Sequence, residues 1–251
     1  MTQPLHQRSL FLLVLLALGV AAGCQKDDEP AGSTLTIHID HKVNQEALVL
    51  ANKSYVNALG EPFTVTTFKY YMSNLAFTKV DGSVVKFPGK YYLVNEAVPE
   101  SKILKVERVP EGDYKSFSFL LGVDSIRNVS GAQTGALDVL NGMFWSWNSG
   151  YIMAKFEGTS TASPAPDGAL VYHVGGFKGT YNALQTVSLA TGTFNVPASS
   201  QLRLSANVAA WFNTPHAISF KTIGAVHVPG VDAYRFSQNY SQMFTSVSVS
   251  E

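Results

Sequence analysis

Cysteine is nearly missing. Cys24 is the only one in 251 residues, so no disulfide can close within the chain. Stability has to come from core packing, which a chain of this length can supply. Charge is also scarce: Asp, Glu, Lys and Arg make up 14% of the residues, 18 acidic against 18 basic. Without a basic patch, nucleic acid is excluded as a partner. Catalytic signatures are missing too. Gly175-Gly176-Phe177-Lys178-Gly179 is not followed by the Gly-Lys-Ser/Thr of a phosphate loop. Neither a Gly-x-Ser-x-Gly elbow nor a His-Glu-x-x-His pair occurs. The expectation is a binding protein rather than an enzyme.

Long apolar runs are limited to one, at the start. Arg8 precedes the stretch Ser9–Gly23, which is too short for a comfortable membrane span and ends in small residues. That pattern predicts a secretory signal over 1–23. Ala21-Ala22-Gly23-Cys24 resembles a bacterial lipobox, with Ala21 where leucine is usual. The resemblance implies an acylated Cys24 and a lipid-anchored protein at the outer membrane or cell surface. Gln25-Lys26-Asp27-Asp28-Glu29-Pro30 resembles the short acidic tract that follows the cysteine of surface lipoproteins. As composition alone, 24–33 reads as a flexible tether. Residues 34–251 read as a single domain. Removing 1–23 removes Arg8 and leaves 17 basic against 18 acidic residues.

Period-two patterns dominate that domain. In Thr34–Val43, Leu35, Ile37, Ile39, His41 and Val43 share one face, and Thr34, Thr36, His38 and Asp40 the other. Phe63–Val80 reads as one or two Thr-, Phe- and Tyr-rich strands. Asp81-Gly82 predicts a hairpin into Val84–Phe87, and Tyr91–Val94 reads as a further strand. Lys115–Val123 alternates again. Residues 124–142 and 158–168 are turn-rich and predict loops. Strands are expected near 169–174, 184–189, 201–208 and 245–250. Short helical stretches are expected at 208–212 and around Phe236–Phe244. This is the pattern of an all-β fold, an antiparallel sandwich or barrel-like sandwich with one or two short helices.

Several blocks together resemble the MbnP-like family of exported, copper-associated β proteins. They are Phe63–Leu75, Leu120–Asp124, Met143–Tyr151 with Phe156-Glu157-Gly158, Tyr172–Phe177 and Asn239–Phe244. The resemblance implies a cell-envelope copper-binding lipoprotein that captures or buffers Cu(I). It also implies a possible kynurenine made from a tryptophan by a diheme partner enzyme of the cytochrome c peroxidase type.

The residues allow such chemistry, because Cu(I) accepts few ligands and favours imidazole and thioether. His41 faces inward by parity, and His173 interrupts an apolar stretch just before two glycines. These two are the expected metal ligands, converging from separate strands. Met143, Met153 and Met243 are candidate thioethers. Trp145 and Trp147 are candidate modified residues. His38, His216 and His227 are supported only by residue type. The alternative is a scaffold without metal, for example a glycan-binding module that stacks sugars on Trp145, Trp147, Tyr151 and Trp211.

Overall fold

The structure is a computed structural model. It describes residues 32–250 except 132, 147 and 148, without the side chains of 245–248. The predicted signal segment 1–23, the acylation site Cys24, most of the tether and Trp147 therefore lie outside the described residues.

The first half of the domain holds β1 (Ser33–Val43), β2 (Glu46–Ala47), β3 (Tyr55–Val56), β4 (Pro62–Lys79), β5 (Val84–Asn95), β6 (Ile103–Val109) and β7 (Gly112–Leu121). Helix α1 (Ser125–Asn128) and two 3-10 turns, Gly135–Leu137 and Val139–Asn141, follow. Then come β8 (Phe144–Ser146), β9 (Gly150–Thr159), β10 (Ala169–Gly175), β11 (Gln185–Val196) and β12 (Gln201–Asn207). A 3-10 turn (Val208–Phe212), β13 (Ala225–Val226), α2 (Val231–Tyr240) and β14 (Phe244–Ser250) complete the described chain.

These strands make a sandwich of two sheets that is not closed into a barrel. The smaller sheet runs β14-β12-β1-β2, with β6 also on β1. The larger runs β11-β7-β4-β9-β10-β13, with β3 and β5 on β4 and β8 on β9. The sheets are mixed rather than purely antiparallel, since β1 pairs in parallel with β12 and β10 with β13. Neither pair is joined by a hairpin, so nothing local forces the antiparallel sense.

Alternation decides which side chains enter the main core. In β1, Leu35, Ile37, Ile39, His41 and Val43 point inward, as the pattern predicts. The single long β4 sends Phe63, Val65, Phe68, Tyr70 and Met72 inward, after a register shift between Val65 and Thr67. Tyr71 is consequently on the other face, in a second cluster. Trp211 and Phe212 of the 3-10 turn pack on Phe156, Tyr172 and Phe236, closing one end. Each such buried aliphatic or aromatic side chain contributes about 1.5–3 kcal/mol. That is how the domain holds together without a disulfide.

The turn-rich segment 124–142 is not a free loop. It folds over the outer face of the larger sheet and builds a second core. Leu137 and Met143 pack there with Tyr71, Tyr151, Met153 and Phe177. Tyr151 Oη donates to the Leu137 carbonyl (2.6 Å) and Lys155 Nζ to the Gly142 carbonyl (2.6 Å). Buried Asn128 donates to the Val123 carbonyl and accepts from the Tyr151 amide. The Leu137 and Val123 carbonyls and the Tyr151 amide are thus given specific partners, as burial requires.

Candidate metal centre

His41 lies between the sheets. Its Nδ1 is 2.6 Å from Glu96 Oε2 and its Nε2 is 2.8 Å from Tyr70 Oη. Burial outweighs Glu96 and lowers the imidazole pKa below its ordinary 6.5. Burial alone would raise the Glu96 carboxyl, but hydrogen bonds from His41 and Lys102 bring it below its usual value. A neutral ring beside a carboxylate must donate from Nδ1, so Tyr70 donates to Nε2. Lys102 Nζ, 2.9 Å from Glu96, balances the carboxylate. Both ring nitrogens of His41 therefore have protein partners.

His173 is on the opposite side of the larger sheet. Leu170, Tyr172 and Val174 of β10 enter the main core, so Val171, His173 and Gly175 face outward. The expectation of an inward His173 came from its apolar neighbours. Those neighbours alternate with it, and the outer face is half-covered by the folded-back segment. The structure therefore does not bring His41 and His173 together, and the expected two-strand convergence between the sheets is not formed.

On that outer face a different group assembles. His173 Nε2 is 2.7 Å from Glu157 Oε1, and Thr67 Oγ1 donates to the other carboxylate oxygen at 2.8 Å. Lys155, directly opposite His173 across the β9–β10 ladder, stands 4.0 Å from Glu157. Burial, helped by Lys155, holds the imidazole below its ordinary pKa despite the bond to Glu157. Burial works against the Glu157 carboxylate, yet the bonds from His173 and Thr67 keep its pKa lowered overall. The neutral ring thus donates Nε2–H to Glu157 and leaves Nδ1 as its lone-pair nitrogen. Among the described residues Nδ1 has no hydrogen-bond partner. A carboxylate that fixes the tautomer of a histidine is the usual support behind a metal-bound imidazole.

His227 joins this group. Strand β13 pairs in parallel with β10 at Val171–Ala225 and Tyr172–Val226, and the next position places His227 beside His173. The two rings meet edge to face, centroids 5.5 Å apart. A two-residue strand inside a long loop has no period to read, so nothing in the sequence could single His227 out.

Trp145 stands against the same strand. A Cβ on Gly175 would lie 2.5 Å from the Trp145 ring. The absent side chain therefore lets the indole lie on β10, two residues from His173. The methionines serve packing. Met143 and Met153 belong to the second core and Met243 to the main core. Met153 Sδ also accepts from the Val123 amide at 3.2 Å. His216 bonds Gln238 (2.7 Å), and His38 is half-buried on the outer side of β1. Trp211 and Tyr151 are buried and offer no platform for a sugar.

Among the described residues no three His, Cys, Asp or Glu side chains gather into a cluster able to hold a metal ion. Donors for a four-coordinate cation are therefore not grouped. Two neighbouring imidazoles, one tautomerically fixed, fit an ion content with few ligands, and Cu(I) is such an ion. Among the described residues no helix is long and apolar enough to cross a membrane.

The fold is a two-sheet mixed β-sandwich. The chain belongs to the MbnP family, whose model matches residues 32–228. Its fold is similar to that of MbnP from Methylosinus trichosporium, with a TM-score of 0.57 at 13% identity, covering 87% of this chain and 99% of that one. No curated protein sequence matches it.

Proposed function

We propose that this is an exported copper-binding protein that holds Cu(I) on the outer face of the larger sheet, with His173 and His227 as imidazole ligands. The observation that supports this most is the His173–Glu157 bond. It leaves a neutral ring with one nitrogen uncommitted, beside a second imidazole. Glu157 orients His173, Thr67 holds Glu157, and the Trp145 indole shields the neighbouring strand from water. The bound ion itself supplies a soft, low-coordinate centre for storage or hand-over. The role is binding, not catalysis. Membership of the MbnP family supports copper as the metal and export as the route. The lipobox-like Cys24 supports a lipid anchor at the outer membrane or cell surface. For Trp145, which lies against β10 two residues from His173, the reading adds conversion to kynurenine by a diheme partner.

The test is competition for Cu(I) against a chromophoric chelator. One ion per chain is expected. His173→Ala and His227→Ala should each weaken binding at least about tenfold, the loss of one ligand contact. Full affinity in both variants would reject the site.

A further inference from the structure

A second concave site lies away from the histidines, where β4, β5 and α1 meet. It is a groove of about 620 Å³, within the range of small-ligand sites. Its walls include Leu75, Ala76, Pro88 and Ile126. Ile126 is 74% exposed, an apolar side chain with almost nothing over it. A smaller cavity of about 350 Å³ continues the groove, sharing Gly89, Tyr91 and Arg127.

The polar groups of the groove differ in what they have left to offer. Asp124 is its one carboxylate, and it accepts from Tyr91 Oη (2.5 Å), Asn74 Nδ2 (3.0 Å) and the Arg127 amide (3.2 Å). Asn74 Oδ1 accepts from the Gly89 amide (3.3 Å). The acceptors are thus engaged. The donors are less so. Arg127 lies over the Tyr91 ring, interacts with the Tyr91 hydroxyl and the Asp124 carboxylate, and makes a long 3.4 Å contact to Gln133, so part of its guanidinium is already engaged. Lys86 and Lys90, at the rim, make no ion pair among the described residues. Three cations therefore face one satisfied carboxylate around an apolar wall.

We infer that this groove binds a small amphipathic carboxylate, its apolar body against Ile126, Pro88 and Ala76 and its charge among Arg127, Lys86 and Lys90. A sugar is disfavoured, because neutral hydroxyls gain less from the groove's cations than a carboxylate does. A cationic amphipath is disfavoured by the excess of positive charge. Arg127 is the natural carboxylate partner, since its planar fork matches two oxygens and its stacking on Tyr91 holds the plane in place.

The probe is decanoate, titrated calorimetrically into the purified protein. Decyltrimethylammonium and decyl maltoside serve as charge controls. Decanoate should bind one per chain, and the cation and the neutral sugar should bind at least about tenfold more weakly, the size of one lost ion contact. Arg127→Glu and a Lys86→Glu/Lys90→Glu variant, all at partly or fully exposed positions, should each weaken decanoate by a similar factor. Ile126→Asp should abolish binding. His173→Ala should leave it unchanged, so this result stands apart from the copper site. Equal binding of all three amphipaths, or decanoate binding indifferent to the charge reversals, would overturn the inference.

Discussion

Tyr70 donates its phenol to Nε2 of His41 across 2.8 Å, and Glu96 accepts the Nδ1–H bond on the other side of the ring. The three form a chain that runs from the main core to the half-buried Glu96. Tyr70→Phe keeps the ring packing and removes only the donor, leaving a buried imidazole nitrogen unpaired. The expected cost is about 1–3 kcal/mol, read from urea unfolding. Copper affinity should not change, because the chain is separated from the His173 face by the larger sheet. A fall in Cu(I) affinity with stability intact would place His41 at the metal.

The same buried ring gives a pH dependence with a definite sign. The folded pKa of His41 is lowered from 6.5, and so is that of His173. Below pH 6.5 the unfolded chain takes up protons that the folded chain refuses. Stability should therefore be level above 6.5 and fall as pH drops toward the folded values. Glu96, also lowered, adds its own loss only below its ordinary 4.5. Unfolding midpoints at pH 7.5 and 5.5 should differ, and a His41→Gln variant should show a shallower slope. A stability flat from 7.5 to 5.5 would contradict the buried neutral ring.

Much of this fold was legible because alternation is a local property. The inward set of β1, including His41, follows from spacing alone, and Asp81-Gly82 marks the hairpin correctly. The failures share one physical cause. His173 was assigned by its apolar neighbours, but a strand covered on both faces, one by the opposite sheet and one by a folded-back segment, carries apolar residues around an outward position. The parallel β1–β12 pair and the placing of His227 by β13 depend on distant chain segments meeting. No local pattern encodes that. Strand β6, which no sequence pattern singled out, pairs with β1 through Leu104 and Val106 in the same non-local way.

Gly175 is required by the indole. A methyl there would lie 2.5 Å from the Trp145 ring and 2.8 Å from the Tyr151 carbonyl oxygen. Gly175→Ala should cost about 1–3 kcal/mol through overpacking and alter tryptophan fluorescence as the ring is displaced. In a Trp145→Phe background the smaller ring removes part of the conflict, so the same substitution should cost less. Equal costs in both backgrounds would show that the Tyr151 backbone alone sets the penalty.

Lys155 couples the outer-face site to the segment that carries Trp145. Its Nζ donates to the Gly142 carbonyl (2.6 Å), Lys69 reaches the Asn141 carbonyl (3.4 Å), and both carbonyls lie just ahead of β8. Lys155 also helps lower the His173 pKa. Lys155→Met keeps the length of the side chain and removes the charge and the donor. Two effects should follow together. Amide protection around 139–146 should fall, because a short hydrogen bond that tethers the segment is lost. The His173 pKa, followed by nuclear magnetic resonance, should rise, because a repelling neighbour is gone while Glu157 remains. Loosening of the segment with no change in the His173 titration would mean that Lys155 acts only as a strut. A rise in pKa with protection intact would mean that the second core holds the segment without it.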